Sequence, residues 1–324
     1  RSIAISACIG VSVCPLNGEE PDVLLRNADQ AMLIAKQSGR SRCSLFDTEL
    51  EGRARALYQT TANVERGLAE GEFVLFYQPR VNMRLGTVVG VEALIRWAHP
   101  EEGLILPVGF LPYVEGSEVA VRLGRWVLAE ALSQMQRWSA IGLHLPISVN
   151  ISGHHLKAPG FGEHLAKLLE AHPGIPAERL EIEILETAAM EDVEKVARII
   201  RDSASLGVSF ALDDFGTGHS SLTYVRRLPA RTLKIDKSFV RNILEDPEDL
   251  AIAKGVVALA RSFGREVVAE GMETIEHGVA LLSIGCEHAQ GYGIAHPMPA
   301  EAVPAWIAQW KCPACWGDAP RPAT

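Results

Sequence analysis

The chain has 324 residues, 48% hydrophobic and 22% charged, enough apolar mass for one or two packed cores. Forty acidic residues against 31 basic ones give a net charge of −9, which argues against polymeric nucleic acid as a partner, because gripping it takes a basic face. A small phosphorylated ligand stays open, since divalent metals bridge carboxylates to phosphates. No run approaches the roughly 18 uninterrupted apolar residues of a membrane span, so no membrane contact is expected within this stretch. The chain opens on Arg1 without a leader pattern, so it reads as a fragment whose parent can carry an anchor or sensor upstream. Six scattered cysteines suit a reducing compartment, and a cytoplasmic location is expected. Cys312 and Cys315 have zinc-like spacing but no second pair nearby, and packing or surface cysteines are the better reading.

In chain order, residues 1–47 read as strand, turn, helix and strand, with Pro21 near the helix start and Gly39 at its end. This piece is too short to be a stable domain by itself. An amphipathic connecting stretch follows over 48–70. From there to about 311, eight β-like runs recur: 73–79, 88–97, 147–152, 180–186, 208–214, 232–238, 266–273 and 288–295. Helical patterns fill most gaps, and those over 121–142, 191–207 and 248–264 each end at a glycine. Strands alternating with helices pair in parallel, and eight of them predict an α/β fold, a TIM-like (βα)8 barrel. Only about eight residues separate the first two runs, too few for a crossover helix, so that pair is expected to be antiparallel. Residues 312–324 form a tail.

Nearly every run carries a polar group toward its carboxyl end, where βα barrels place their chemistry. These are Glu92, Asn150, Glu183 with Glu186, Asp213 with Asp214, Lys234 with Asp236, Glu270 with Glu273, and Gln290. The steps Asn150 to Glu183, Glu183 to Asp213 and Lys234 to Glu270 are 33, 30 and 36 residues, close to one βαβ unit. Converging carboxylates repel unless cations neutralise them, and the economical solution is one or two hard divalent ions, Mg²⁺ or Mn²⁺. One strand-end Glu is ordinary, and adjacent Asp residues before Phe-Gly-Thr-Gly can be a cap and turn. A lysine inside an apolar strand, flanked by such neighbours, makes the joint pattern a site.

The same residues strongly resemble the EAL family of cyclic di-GMP phosphodiesterases. Glu92-Ala93-Leu94 stands in VEALIRW after Tyr77-Gln78-Pro79, and Asn150 falls in VNIS. Glu183 to Glu186 gives ExxE, Asp213 to Gly218 reads DDFGTG, and Lys234 to Asp236 reads KID. Glu270 to Glu273 reads EGME and Gln290 to Tyr292 reads QGY, all in the family's order over about residues 55–310. The resemblance implies a two-metal site: Glu92, Asn150, Glu183 and Asp213 on one metal, with Asp213 bridging to a second that Asp214 also ligates. It implies that Lys234 and Glu270 orient or activate water, that Glu186 steadies the loop after the fifth strand, and that the product is linear pGpG. Gln78, Leu94, Arg96, Asp236, Glu273 and Gln290 are implied to hold substrate, and a homodimer is expected. His219, Leu185 and Asn82 depart from the family's usual Tyr, Thr and Asp. Residues 1–47 resemble the end of a GGDEF (diguanylate cyclase-like) domain without its signature. The alternative function is an inactive effector that binds cyclic di-GMP without cutting it.

Overall fold

The computed structural model describes residues 7–15, 17, 20–37, 43–46, 48–217, 222–317 and 319. Two compact units divide the chain, Arg1–Arg66 and Gly67–Thr324, and the helix Thr48–Glu70 contains the boundary. In the first unit β1 (Ile9–Val11) and β2 (Cys43–Leu45) pair in parallel around the helix Pro21–Gln37. Gly39 lies outside the described residues.

All eight runs of the second unit form strands: β3 (Phe73–Asn82), β4 (Thr87–His99), β6 (Ile147–Asn150), β7 (Leu180–Leu185), β8 (Ser209–Phe215), β9 (Thr232–Ile235), β10 (Glu266–Ala269) and β11 (His288–Ala289). Two strands too short to show alternation join them, β5 (Gly103–Ile105) beside β4 and β12 (Met298–Pro299) beside β3. The ladder runs β3, β11, β10, β9, β8, β7, β6, β4 and closes from β4 back onto β3. Only β3 runs against its barrel neighbours, with Gln78 opposite Glu92. Asn82 is buried and its side chain accepts the Leu85 N–H at 2.8 Å, so it caps the β3–β4 turn.

The outer helices include Glu118–Ala140, Val193–Ala204 and Pro247–Ser262. Gly142, Gly207 and Gly264 follow them at φ of +78°, +99° and +64°, the left-handed geometry that ends a helix without a Cβ penalty. Aliphatic residues on the outward faces of the barrel strands, such as Ile147, Ile182 and Leu233, point toward the surrounding helices and are 0% exposed. Among the described residues no helix is long and apolar enough to cross a membrane. Cys286 is buried, and Cys312 and Cys315 are free thiols.

Candidate active site

Side chains two apart on a strand share a face, so inward polar residues stack in layers along the barrel axis. The lower layer is an ion pair. Arg80 of β3 donates to Glu181 of β7 at 2.7 Å, and Thr232 of β9 donates to the other Glu181 oxygen at 2.6 Å. Burial works against both charges, but each partner outweighs it: Arg80 is held above and Glu181 below its ordinary range.

One step higher, β7 presents Glu183 and β9 presents Lys234. Lys234 is 0% exposed, yet its ammonium touches Glu183 and lies 2.5 Å from Glu270 Oε1, 3.1 Å from Asp213 Oδ1 and 3.7 Å from Glu92 Oε2. Burial lowers its proton affinity, but Glu183, Glu270, Glu92 and Asp213 outweigh it and keep the ammonium charged. Glu92 is also held low despite burial, by Lys234 and by hydrogen bonds from Gln290 (2.5 Å) and Asn150 (2.6 Å). Gln290 also donates to Gln78 at 2.9 Å.

One ammonium cannot serve all these carboxylates. Burial, then Glu92, Asp213 and Glu181, push Glu183 well above the usual carboxylate range against the pull of Lys234. Glu270 is pushed up to about 8 by burial, then by Asp213 and Glu92. Asp214 is pushed up to about 7 by burial, then by Asp213 and a hydrogen bond with Asp236. Asp214 is the only described non-glycine residue at positive φ, +53°. Its N–H donates to Asp213 Oδ1 at 3.0 Å, so the bent backbone turns two adjacent carboxylates toward one place.

These residues fit a divalent cation. Oxygens of Asp213, Asp214 and Glu270 lie within 4.8 Å of one another, and Glu183 Oε1 is buried without a hydrogen bond. A hard ion with oxygen ligands would relieve both the repulsion and the orphaned oxygen.

Of the residues singled out in the sequence, Gln78, Glu92, Asn150, Glu183, Asp213, Asp214, Lys234, Glu270 and Gln290 converge here. Asp236 joins through Asp214 and accepts from Ser238 N at 2.9 Å. Glu186 accepts the Gly216 N–H at 3.0 Å, fastening the turn after β8. Three lie apart from the bonded cluster. Leu94 is half-buried, Arg96 sits over the Phe76 ring at 5.7 Å, and exposed Glu273 pairs with Arg241 at 3.2 Å. His219 lies outside the described residues. Sequence reasoning missed Arg80, Glu181 and Thr232. The signal was there: Glu181 is two residues before Glu183 and Thr232 two before Lys234, on the same face one layer down.

A closed βα barrel with a buried lysine ringed by carboxylates at its strand ends is a barrel built around a metal-ready mouth. The chain belongs to the EAL domain family, whose model matches residues 61–297. It is 38% identical over 309 residues to the bifunctional diguanylate cyclase/cyclic di-GMP phosphodiesterase MucR of Pseudomonas aeruginosa, covering 95% of this chain and 45% of that protein. It is 33% identical over 305 residues to the cyclic di-GMP phosphodiesterase PdeR of Escherichia coli, covering 94% and 46%. A solved structure of the PaMucR phosphodiesterase in complex with c-di-GMP superposes with a TM-score of 0.72 at 39% identity, over 76% of this chain and 99% of that one. The chain thus spans less than half the length of these two curated relatives.

Proposed function

We propose that this barrel is a metal-dependent phosphodiesterase that opens cyclic di-GMP to linear pGpG. The observation that carries the reading is Lys234, fully buried and surrounded by Glu183, Glu270, Asp213 and Glu92. Such a cluster is unfavourable as a packing device, because it leaves carboxylates under-compensated, and is useful when metal and phosphate share the charge. Relatives named for cyclic di-GMP turnover support the choice of substrate.

In this reading Glu92, Asn150, Glu183 and Asp213 would hold one Mg²⁺ or Mn²⁺ ion, and Asp213 with Asp214 would hold a second. Two such ions, when bound, supply a hydroxide at neutral pH and stabilise attacking and leaving oxygens. Glu270 takes a proton of the attacking water, and the Lys234 ammonium faces the negative charge that grows on the phosphoryl group. Water adds at phosphorus, the bond to the 3′ oxygen breaks, and a 5′-phosphate remains on the linear product. Gln78 and Gln290 hold Glu92 in place and, with Leu94, Arg96, Asp236 and Glu273, line the substrate cleft. The Arg96 guanidinium is of the kind that pairs two N–H donors with a phosphate. Glu186 acts through the Gly216 N–H to keep the Asp213–Asp214 turn in position.

Residues 1–47 are proposed as the end of a GGDEF-like domain, 48–70 as its connector, 71–311 as the catalytic barrel and 312–324 as a tail. A cytoplasmic homodimer is the proposed working form, on family resemblance. Turnover of cyclic di-GMP with Mg²⁺ or Mn²⁺, followed by chromatography, tests the function. Wild type should release pGpG and Glu92→Ala should fall to background. Unchanged turnover in Glu92→Ala overturns the site, and tight binding without turnover in either metal overturns the phosphodiesterase reading.

A further inference from the structure

We infer that Cys312 and Cys315 form a reversible thiol–disulfide site that locks the segment after the barrel against the barrel wall. Two cysteines with two residues between them suit either a metal or redox chemistry, and their surroundings choose. Among the described residues, the only carboxylate, imidazole and thiol groups placed in threes to share an ion are Asp213, Asp214 and Glu270. The cysteine pair therefore lacks the further ligands of a zinc site. Both thiols are free. Burial, then the neighbouring Cys315, push the Cys312 thiol up, so the two sulfurs are near enough to feel each other.

The segment that carries them is anchored on both sides. Trp316 is 1% exposed, and its Nε1 donates to Ile275 O at 3.0 Å, in the first turn of the helix Ile275–Ser283. A Cβ on Gly278 of that helix would meet Trp316 Nε1 at 2.4 Å, so the glycine makes the seat for the indole. Ala319 O accepts from Arg84 Nη1 at 2.6 Å. Cys312 Sγ donates to Met83 O at 3.5 Å, beside Gly86, where a Cβ would come 3.0 Å from Cys312 Cβ. Met83, Arg84 and Gly86 form the β3–β4 turn. Since Asn82 pairs with His288, the first residue of β11, that turn lies at the end of the barrel away from the mouth.

Access differs between the two thiols, and this sets the order of events. Cys315 is exposed, whereas Cys312 is half-buried with its thiol proton on a carbonyl. The nucleophile is a thiolate, and the accessible one meets the oxidant first. The Cys315 thiolate attacks one sulfur of a small-molecule disulfide such as glutathione disulfide; that S–S bond breaks, and one glutathione thiolate leaves. Cys312 then gives its proton to solvent, and its thiolate attacks Cys315 Sγ and expels the second glutathione thiolate. Two protein thiols are oxidised to one disulfide while one small disulfide is reduced to two thiols, and excess thiol reverses the exchange. In a reducing compartment such a bond is transient and serves sensing. The closed ring removes chain freedom between the two anchors, so the segment opens less often.

The test incubates the whole chain with glutathione disulfide, alkylates remaining thiols and follows the tryptic peptide that begins at Cys312 by mass spectrometry. Wild type should lose two hydrogens from that peptide and regain them in dithiothreitol. Cys312→Ser should accumulate glutathione on Cys315, and Cys315→Ser should leave Cys312 largely alkylatable. Amide exchange over residues 312–317 should slow at least about threefold in the oxidised wild type and stay unchanged in Cys312→Ser. A peptide that keeps both hydrogens, or carries two glutathiones, overturns the site. Glutathione settling on Cys312 in Cys315→Ser as fast as on Cys315 in Cys312→Ser overturns the order of attack. A disulfide that forms without slowing exchange overturns the lock.

Discussion

Replacing Lys234 by Met removes the buried ammonium while keeping the volume of the side chain. Glu183, Glu270, Asp213 and Glu92 then lose their shared cation inside the barrel. Removing one partner of a buried pair costs about 3–5 kcal/mol. The lower end applies here, because Glu270 already sits at about 8 and Glu183 well above its ordinary range, so both can take a proton instead of staying charged. A loss of about 3 kcal/mol lowers the melting temperature by roughly 6–12 °C for a domain of this size. Turnover should fall by about 10²–10³ as a fixed positive charge at the reacting phosphate disappears. Differential scanning fluorimetry with and without Mn²⁺, beside a turnover assay, reads both effects. Added Mn²⁺ should stabilise the variant more than wild type, since it restores cationic charge. A variant melting within about 2 °C of wild type and turning over normally would refute the role given to Lys234.

The metal-free protein should lose stability as pH rises. Glu270 moves from its ordinary 4.5 to about 8, so between those values the folded state holds a proton the unfolded chain has released, and stability declines through that window. Melts in chelator across that range check this, and stability rising with pH there would contradict the electrostatics described. Asp214→Asn should keep the fold, because Asn tolerates the left-handed backbone at φ +53°. The Mn²⁺ concentration for half-maximal turnover should rise at least about tenfold, read by metal titration. Glu181→Leu leaves Arg80 buried and unpaired and should cost about 3–5 kcal/mol in denaturant unfolding. Arg80→Met added to it should recover most of that loss, with metal affinity near wild type in both.

How much of this was legible in the sequence follows from the range over which each signal acts. The eight barrel strands were visible because strands buried on both faces read as continuous apolar runs, and three helix stops were written as glycine. Their ends were less visible. The run 266–273 became a strand only over Glu266–Ala269: the Glu270 N–H still donates to Ile235 O at 3.1 Å, but the chain then turns at Gly271, which lies against Lys237 where a Cβ would come within 2.5 Å. Likewise β11 keeps two residues before the loop turns onto Met272. The site was legible as a set, since charges one βα unit apart on apolar strands have no ordinary packing explanation.

What the one-dimensional pattern hid was the layering. Glu181 and Glu183 look alike as letters, two residues apart on one strand and both buried. Barrel closure decides between them: it brings Arg80, on the one reversed strand, beneath the site to neutralise Glu181, and leaves Glu183 sharing Lys234 with three other carboxylates. Thr232 and Lys234 divide on β9 in the same way. The charge that stabilises the barrel and the charge available for metal and phosphate are therefore separated by one pleat. That separation depends on which strand runs backwards, a fact carried by the four-residue link between β3 and β4 and not by the acidic residues themselves.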